Sequence, residues 1–144
     1  MICYVDSSVL LAILFGEAGC GQLRELWAAA DHRISSILLA VESLVVLRRM
    51  HAAASRRLGS SWLKERERAR SMLLQEVHLL RVDEGTLDSL ALRRDLCNCR
   101  ALDAIHLATA TELRDEGFGT GIVIASLDET MRRIARTLKF KVLP

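Results

Sequence analysis

One tyrosine, two tryptophans and three phenylalanines, 4% of the chain, are all its aromatic side chains, so base stacking does not dominate any grip it has on nucleic acid. Proline occurs once in 144 residues, and no linker, repeat or low-complexity tract interrupts the chain. No charge of one sign prevails: 20 basic against 18 acidic side chains leave a net +2. Bulk charge therefore does not mark a nucleic-acid binder, and any basic surface has to be local. The four cysteines, at positions 3, 20, 97 and 99, lack CxxC spacing and follow no signal peptide, which points to reduced thiols in a cytosolic protein rather than a disulfide frame. Cys97 and Cys99 have no further ligands at zinc-site spacing and read as packing residues.

Long apolar runs are also missing. Neither "VLLAILF" nor "ILLAVESLVVL" reaches the roughly 18–20 residues that span a bilayer. The opening "MICYVDSSVLLAILFGE" has no basic region ahead of it and Asp6 in front of its apolar stretch, unlike a targeting segment. A soluble, cytoplasmic protein with no membrane partner is expected. GxSxG, Walker and HExxH sequences are absent as well.

At 51% hydrophobic the chain has the size and core material of one domain, expected over residues 1–144. "ICYV" reads as a strand, and "DSS" as capping residues before the helix "VLLAILF". A short strand "RIS" precedes a helix from about Ser36 to Ser55, capped by Ser35 or Ser36. "SSWLKERERARSMLLQE" is expected to be a helix with a solvated charged face. Then follow strand "VHLLRV", helices "DEGTLDSLALRRDL" and "DAIHLATATELRDEG", strand "GIVIAS", helix "DETMRRIARTL" and strand "KFKVL". Strands alternating with helices predict a three-layer α/β/α fold around a mostly parallel sheet of four to five strands.

Ligands of such sheets sit beyond the carboxyl ends of the strands, where Asp6 and Asp128 fall. Each also has an ordinary role as a helix cap. Asp103 opens a helix, with Arg100 just upstream, and a cation at a helix N-terminus favours a nearby anion. Glu42 is harder to place. Its neighbours three and four positions away are Leu38, Leu39, Val45 and Val46, so it projects from a face expected to be buried. An unpaired buried carboxylate is costly. It needs an arginine partner, protonation, or a hard cation such as Mg²⁺ or Mn²⁺ shared with other acids. A cluster of Asp6, Glu42, Asp103 and Asp128 would support metal-assisted attack of water on a phosphodiester.

Taken together, "YVDSSVLLAIL", the glutamate inside "LLAVESLVVLRR", "RALDAIHLATA" and "IASLDETMRRIARTLKFKVL" resemble a PIN domain, most closely the VapC-type toxins of toxin-antitoxin pairs. The resemblance covers essentially the whole chain, and "LDAIHLATA" is its most specific piece. It implies an Mg²⁺- or Mn²⁺-dependent endoribonuclease acting on RNA, restrained by a cognate antitoxin protein. It places the acidic site on Asp6, Glu42, Asp103 and Asp128, with Asp6 and Asp103 as direct ligands, and makes Ser8 and Ser126 orienting groups. The sequence departs from the family where a glycine usually precedes the last strand, and in "SLD", where a threonine is commoner.

Other readings fit less well. Phosphatases of the haloacid dehalogenase type need an acid where Ser8 stands. The glycines of "GFGTG" precede a strand, the wrong side for a dinucleotide loop. Asp103 and His106 have the spacing of a di-iron pair without a second such pair, so His106 reads as a core or helix-face histidine. The block of Arg48, Arg49, Arg56, Arg57, Lys64, Arg66, Arg68 and Arg70 reads mainly as a solvated face. Some of these, with Arg93, Arg94 and Arg100, are candidates to follow a phosphate backbone. The rival of a different class is a catalytically silent interaction module. The apolar faces of "VLLAILF" and residues 37–47 are candidates for a homodimer contact or an antitoxin groove.

Overall fold

A computed structural model describes residues 1–118 and 121–143. Its strands are β1 (Ile2–Val5), β2 (His32–Ser36), β3 (His78–Leu80), β4 (Ile122–Ala125) and β5 (Lys141–Leu143). Its helices are α1 (Ser7–Phe15), α2 (Cys20–Ala29), α3 (Leu38–Ala53), α4 (Ser60–Gln75), α5 (Glu84–Leu92), α6 (Ala101–Leu113) and α7 (Glu129–Thr137), with a 3₁₀ turn at Arg94–Asn98. The five strands form one sheet in the order β3-β2-β1-β4-β5, every pair parallel. The expected α/β/α fold is observed. Of the "GFGTG" glycines, Gly119 lies outside the described residues.

Alternation along β1 divides the core. Tyr4 packs with α6, α7 and β4 residues Ile122 and Ile124 on one face. Cys3 and Val5 join α1, α2 and Leu39 of α3 on the other. Both faces of a parallel sheet must be covered, so its central strands are apolar throughout, as the burial of Ile122 to Ala125 shows. Helix α1 is packed into this core through Val9, Leu10, Ala12, Ile13 and Leu14, which leaves only Leu11 and Phe15 of its apolar residues half-exposed.

Two expectations about the helices need correction. The core stripe of α3 is Leu39, Ser43 and Leu47, at the four-residue spacing of one helix face. Val41, Val45 and Val46 are instead exposed, and Glu42 stands at the border of the stripe. The charged block of α4 is also not simply solvated. Arg66 donates to the Leu14 carbonyl at 2.9 Å, and Arg70 donates to Ser43 Oγ at 2.8 Å and to the Ala40 carbonyl. Helix α4 buries no residue fully, so these bonds supply part of what joins it to α1 and α3. All four cysteines are free, but Cys97 is exposed rather than packed. No helix among the described residues is long and apolar enough to cross a membrane.

Where the resemblance led to an expected glycine, the chain turns through Lys139 at φ +67°. Phe140 N–H donates to Ala135 O and Lys139 N–H to Arg136 O, both at 3.0 Å, which closes α7 in a Schellman motif whose left-handed residue is Lys139. A side chain there is strained by about 1–2 kcal/mol, partly offset by the greater entropy glycine loses on folding. Lys139→Gly is therefore expected to raise Tm by about 1–4 °C in a thermal melt. A lower Tm would show that the lysine side chain makes compensating contacts.

Candidate active site

Strand order places the ends of β1 and β4 side by side, where the connections leave in opposite directions, and a ligand crevice forms at such a point. Val5 is paired with Ala125, so the next residues, Asp6 and Ser126, emerge as neighbours. Ser126 Oγ donates to Asp6 Oδ2 at 2.8 Å, Ser8 Oγ donates to the same oxygen at 2.5 Å, and the Ser8 N–H approaches it at 3.4 Å as the cap of α1. Asp6 is thus 4% exposed, with its described donors gathered on one oxygen. The serines are held in turn: Leu127 N–H donates to Ser8 Oγ at 2.9 Å, and Asp128 N–H to Ser126 Oγ at 3.1 Å.

Asp128 caps α7 by accepting from Met131 N–H through Oδ1 at 2.8 Å. The ordinary capping role holds for both aspartates, yet each commits one oxygen and leaves the other without a donor among the described residues. Asp103 stands in the first turn of α6 and does not cap it; Arg100 occupies the cap position without a side-chain bond. Its Oδ2 is buried with no hydrogen-bond partner. Burial, followed by the charges of Asp128 and Asp6, raises the Asp103 carboxyl above the ordinary aspartate value, against a smaller pull from Arg100.

Glu42 finds an unexpected partner. His106 Nε2 lies 3.0 Å from Glu42 Oε2, with the imidazole fully buried and Glu42 only partly so. No arginine supplies this contact. The four acids converge: Asp6, Glu42, Asp103 and Asp128 line one open cleft of about 500 Å³ together with Ser8, Arg49 and Arg100. Within it, ligand-capable atoms of Asp6, Glu42 and His106 lie within 4.8 Å of one another. A larger cleft of about 750 Å³ between α5 and α6 also contains acids. There Arg93 pairs with Asp115 at 3.2 Å and Thr86 donates to Glu112 Oε2 at 3.1 Å, while Glu112 Oε1 is buried without a partner. Among the described residues its acids do not bring three ligand-capable atoms within 4.8 Å of one another, as Asp6, Glu42 and His106 do.

A buried carboxylate oxygen without a donor, in a cluster of acids that raise its pKa, is what a hard divalent cation would satisfy, since the ion supplies the missing positive charge and prefers oxygen ligands. The donor set therefore fits Mg²⁺ or Mn²⁺. Sequence reasoning set His106 aside as a core residue. It is one, and only the i, i+3 spacing from Asp103 hinted that both would share a face. Arg49 was one of many surface arginines, and nothing in its local pattern singled it out.

Because the folded-state pKa of Asp103 is raised, the stability it contributes in metal-free protein is full below the unfolded carboxylate pKa and is lost as pH rises through the raised value. Asp103→Asn removes that loss. In chelator at pH 7 the variant is expected to melt above wild type, and the gap should close as pH falls toward about 4. Equal melting at both pH values would mean the site does not strain this carboxylate.

Comparison with known proteins adds independent findings. The family model described as PIN domain matches residues 3–137. Ribonuclease VapC46 of Mycobacterium tuberculosis is 35% identical over 140 residues, 97% of this chain and 95% of that protein. Among solved structures, VapBC2 from Rickettsia felis, bound to a DNA fragment from its promoter, superposes with a TM-score of 0.68 at 10% identity, covering 99% of this chain and 98% of that one. A toxin-antitoxin complex from Klebsiella pneumoniae gives 0.61 at 20% identity, covering 88% and 86%. At such identities the two structures bear on the fold.

Proposed function

The chain belongs to the PIN domain family, and from that premise we propose that it is a divalent-metal-dependent endoribonuclease, the toxin of a toxin-antitoxin pair. The observation that carries this reading is the convergence of Asp6, Glu42, Asp103 and Asp128 on one cleft, with a buried Asp103 oxygen left unbonded. The likeness in sequence to a ribonuclease over almost its full length supports the same substrate class.

Asp6 and Asp103 would hold Mg²⁺ or Mn²⁺, and Glu42 and Asp128 would complete the pocket. When bound, the ion polarises the scissile phosphate and lowers the pKa of the attacking water. The protein's own part is arrangement. Ser8 and Ser126 fix Asp6 through its Oδ2. The free oxygens of Glu42 and Asp128 orient the water and accept its proton. Arg49 and Arg100, at the rim of the cleft, hold the flanking phosphates.

The exposed stripe of α3, comprising Ile37, Val41, Val45, Val46 and Met50, is where the antitoxin docks. Val41, Val45 and Val46 also line the acidic cleft, so a partner seated on the stripe closes the active site at the same time. A homodimer could use the same exposed stripe, with the half-buried Leu11 of α1 beside it. Light scattering at micromolar concentration tests it, and a clean monomer would remove the dimer.

Purified protein stripped with chelator is expected to leave RNA intact and to cleave it once Mg²⁺ or Mn²⁺ is restored. Asp6→Asn and Glu42→Gln should each lower kcat/KM at least about 100-fold, as for loss of a charge-stabilising group. At roughly 100 times its Kd, Mn²⁺ should stabilise wild type by about 2.7 kcal/mol and Asp6→Asn much less. Metal-independent trace cleavage, equal in wild type and variants, would leave a silent binding module as the better description.

A further inference from the structure

His106 is the largest polar feature of the core that the proposed mechanism does not use. It is fully buried, and it does not line the acidic cleft. Both ring nitrogens are nevertheless engaged. Nε2 lies 3.0 Å from Glu42 Oε2, and Nδ1 lies 3.1 Å from Tyr4 Oη and 3.1 Å from Ser36 Oγ. Behind these, the Ser36 N–H donates to Tyr4 Oη at 3.0 Å, and the Tyr4 ring meets the imidazole edge-on at a centroid distance of 6.0 Å.

The chemistry fixes the direction of one bond. An ionised carboxylate only accepts, so Nε2 carries the hydrogen and donates to Glu42, while the hydroxyls of Tyr4 and Ser36 can serve Nδ1 as donor or acceptor. Burial holds the Tyr4 phenol well above its ordinary pKa, so it remains a neutral hydroxyl. The contact also joins the layers of the fold. His106 sits on α6, Tyr4 and Ser36 on β1 and β2, and Glu42 on α3, so the bond spans from the α6 face of the sheet to the helix on the opposite face.

Resting on the metal-dependent reading above, we infer that His106 is a positioning residue. The buried Tyr4–Ser36–His106 assembly clamps Glu42 Oε2 from behind and thereby presents the other carboxylate oxygen to the metal and water in the cleft. Glu42 otherwise stands on a long flexible side chain at the edge of α3 and would have several rotamers open to it. Fixing it before the ion arrives removes that entropy cost from binding.

Two amides separate this role from mere packing. In His106→Gln, the side-chain N–H₂ reaches about as far as Nε2 and can still meet Glu42. In His106→Asn, the amide reaches only as far as Nδ1, so it can bond Tyr4 or Ser36 but not Glu42. Mn²⁺ binding to folded, RNA-free protein, measured by titration calorimetry, is expected to weaken about 10–100-fold in His106→Asn and to stay within about 3-fold of wild type in His106→Gln. Tyr4→Phe, which loosens the clamp from behind, should fall between them.

Wild-type affinity in His106→Asn, or an equal loss in both amides, would overturn the positioning role. Pulsed electron paramagnetic resonance of bound Mn²⁺ should show no directly coordinated imidazole nitrogen, and a strong nitrogen coupling would make His106 a ligand instead. Wild type and Asp6→Asn binding Mn²⁺ equally, or neither binding it, would overturn the acidic-site reading itself, and the clamp with it. If only Asp6→Asn loses the metal while His106→Asn retains it, the clamp alone fails.

Discussion

Carboxylates held together at the end of a parallel sheet repel one another, and the architecture around the cleft is organised by that repulsion. Two unit charges about 5 Å apart at an effective dielectric constant near 20 oppose each other by on the order of 3 kcal/mol. A hydrogen bond to a charged group returns about 1.5–3 kcal/mol. Two hydroxyls on Asp6 and one imidazole N–H on Glu42 are therefore of the right size to offset much of the repulsion those two acids feel. Asp103 has no such compensation at Oδ2. The remaining imbalance sits on one oxygen, and a cation is the partner with the charge to remove it.

Topology brings the acids together without demanding much of the local sequence. Asp6 and Ser126 are adjacent because Val5 and Ala125 are register partners. Asp128 follows by two residues, fixed by its cap on α7. Asp103 enters from the first turn of α6, on one face of the sheet, and Glu42 from α3 on the other. Residues more than a hundred positions apart therefore converge through strand order, and the caps that start α1 and α7 also line the cleft, each using a single oxygen for its described bonds.

How much of this was legible in the chain varied with how local its cause is. The strands around β1 and β4 and the caps at Asp6 and Asp128 follow from short patterns and were recoverable, whereas the turn at Lys139 was indicated only by the family resemblance, since a lysine does not signal a left-handed residue. The direction of α3 was not. Several of its positions are apolar, and the inward stripe of Leu39, Ser43 and Leu47 is met by contacts from other elements, the core around Leu39 and Arg70 of α4, 27 residues away, on the Ser43 hydroxyl. Once α3 is turned that way, Val41 and Val45 face solvent and Glu42 faces the cleft. An isolated acid in an apolar run flagged an unusual position, but the face around Glu42 was expected to be buried, whereas Val45 and Val46 beside it are exposed; the alternative of an apolar docking face over residues 37–47 is the one consistent with that exposure. His106 was hidden for a related reason: its partners Tyr4, Ser36 and Glu42 come from three other elements, and no spacing along the chain encodes them.

The identity of Glu42's partner also matters for what its carboxylate can do. An arginine, the partner expected from charge alone, carries a permanent charge and a planar fork that commonly takes both carboxylate oxygens at once. A glutamate so engaged has little left for a metal or a water. Imidazole offers a single N–H in this direction and takes a single oxygen. Asp6 and Asp128 are held in the same one-sided way, by hydroxyls and by a backbone N–H. Across three acids on three different elements, the fold spends the smallest donor that will orient each group, which keeps the cleft's negative charge intact and its free oxygens pointed where a cation can collect them.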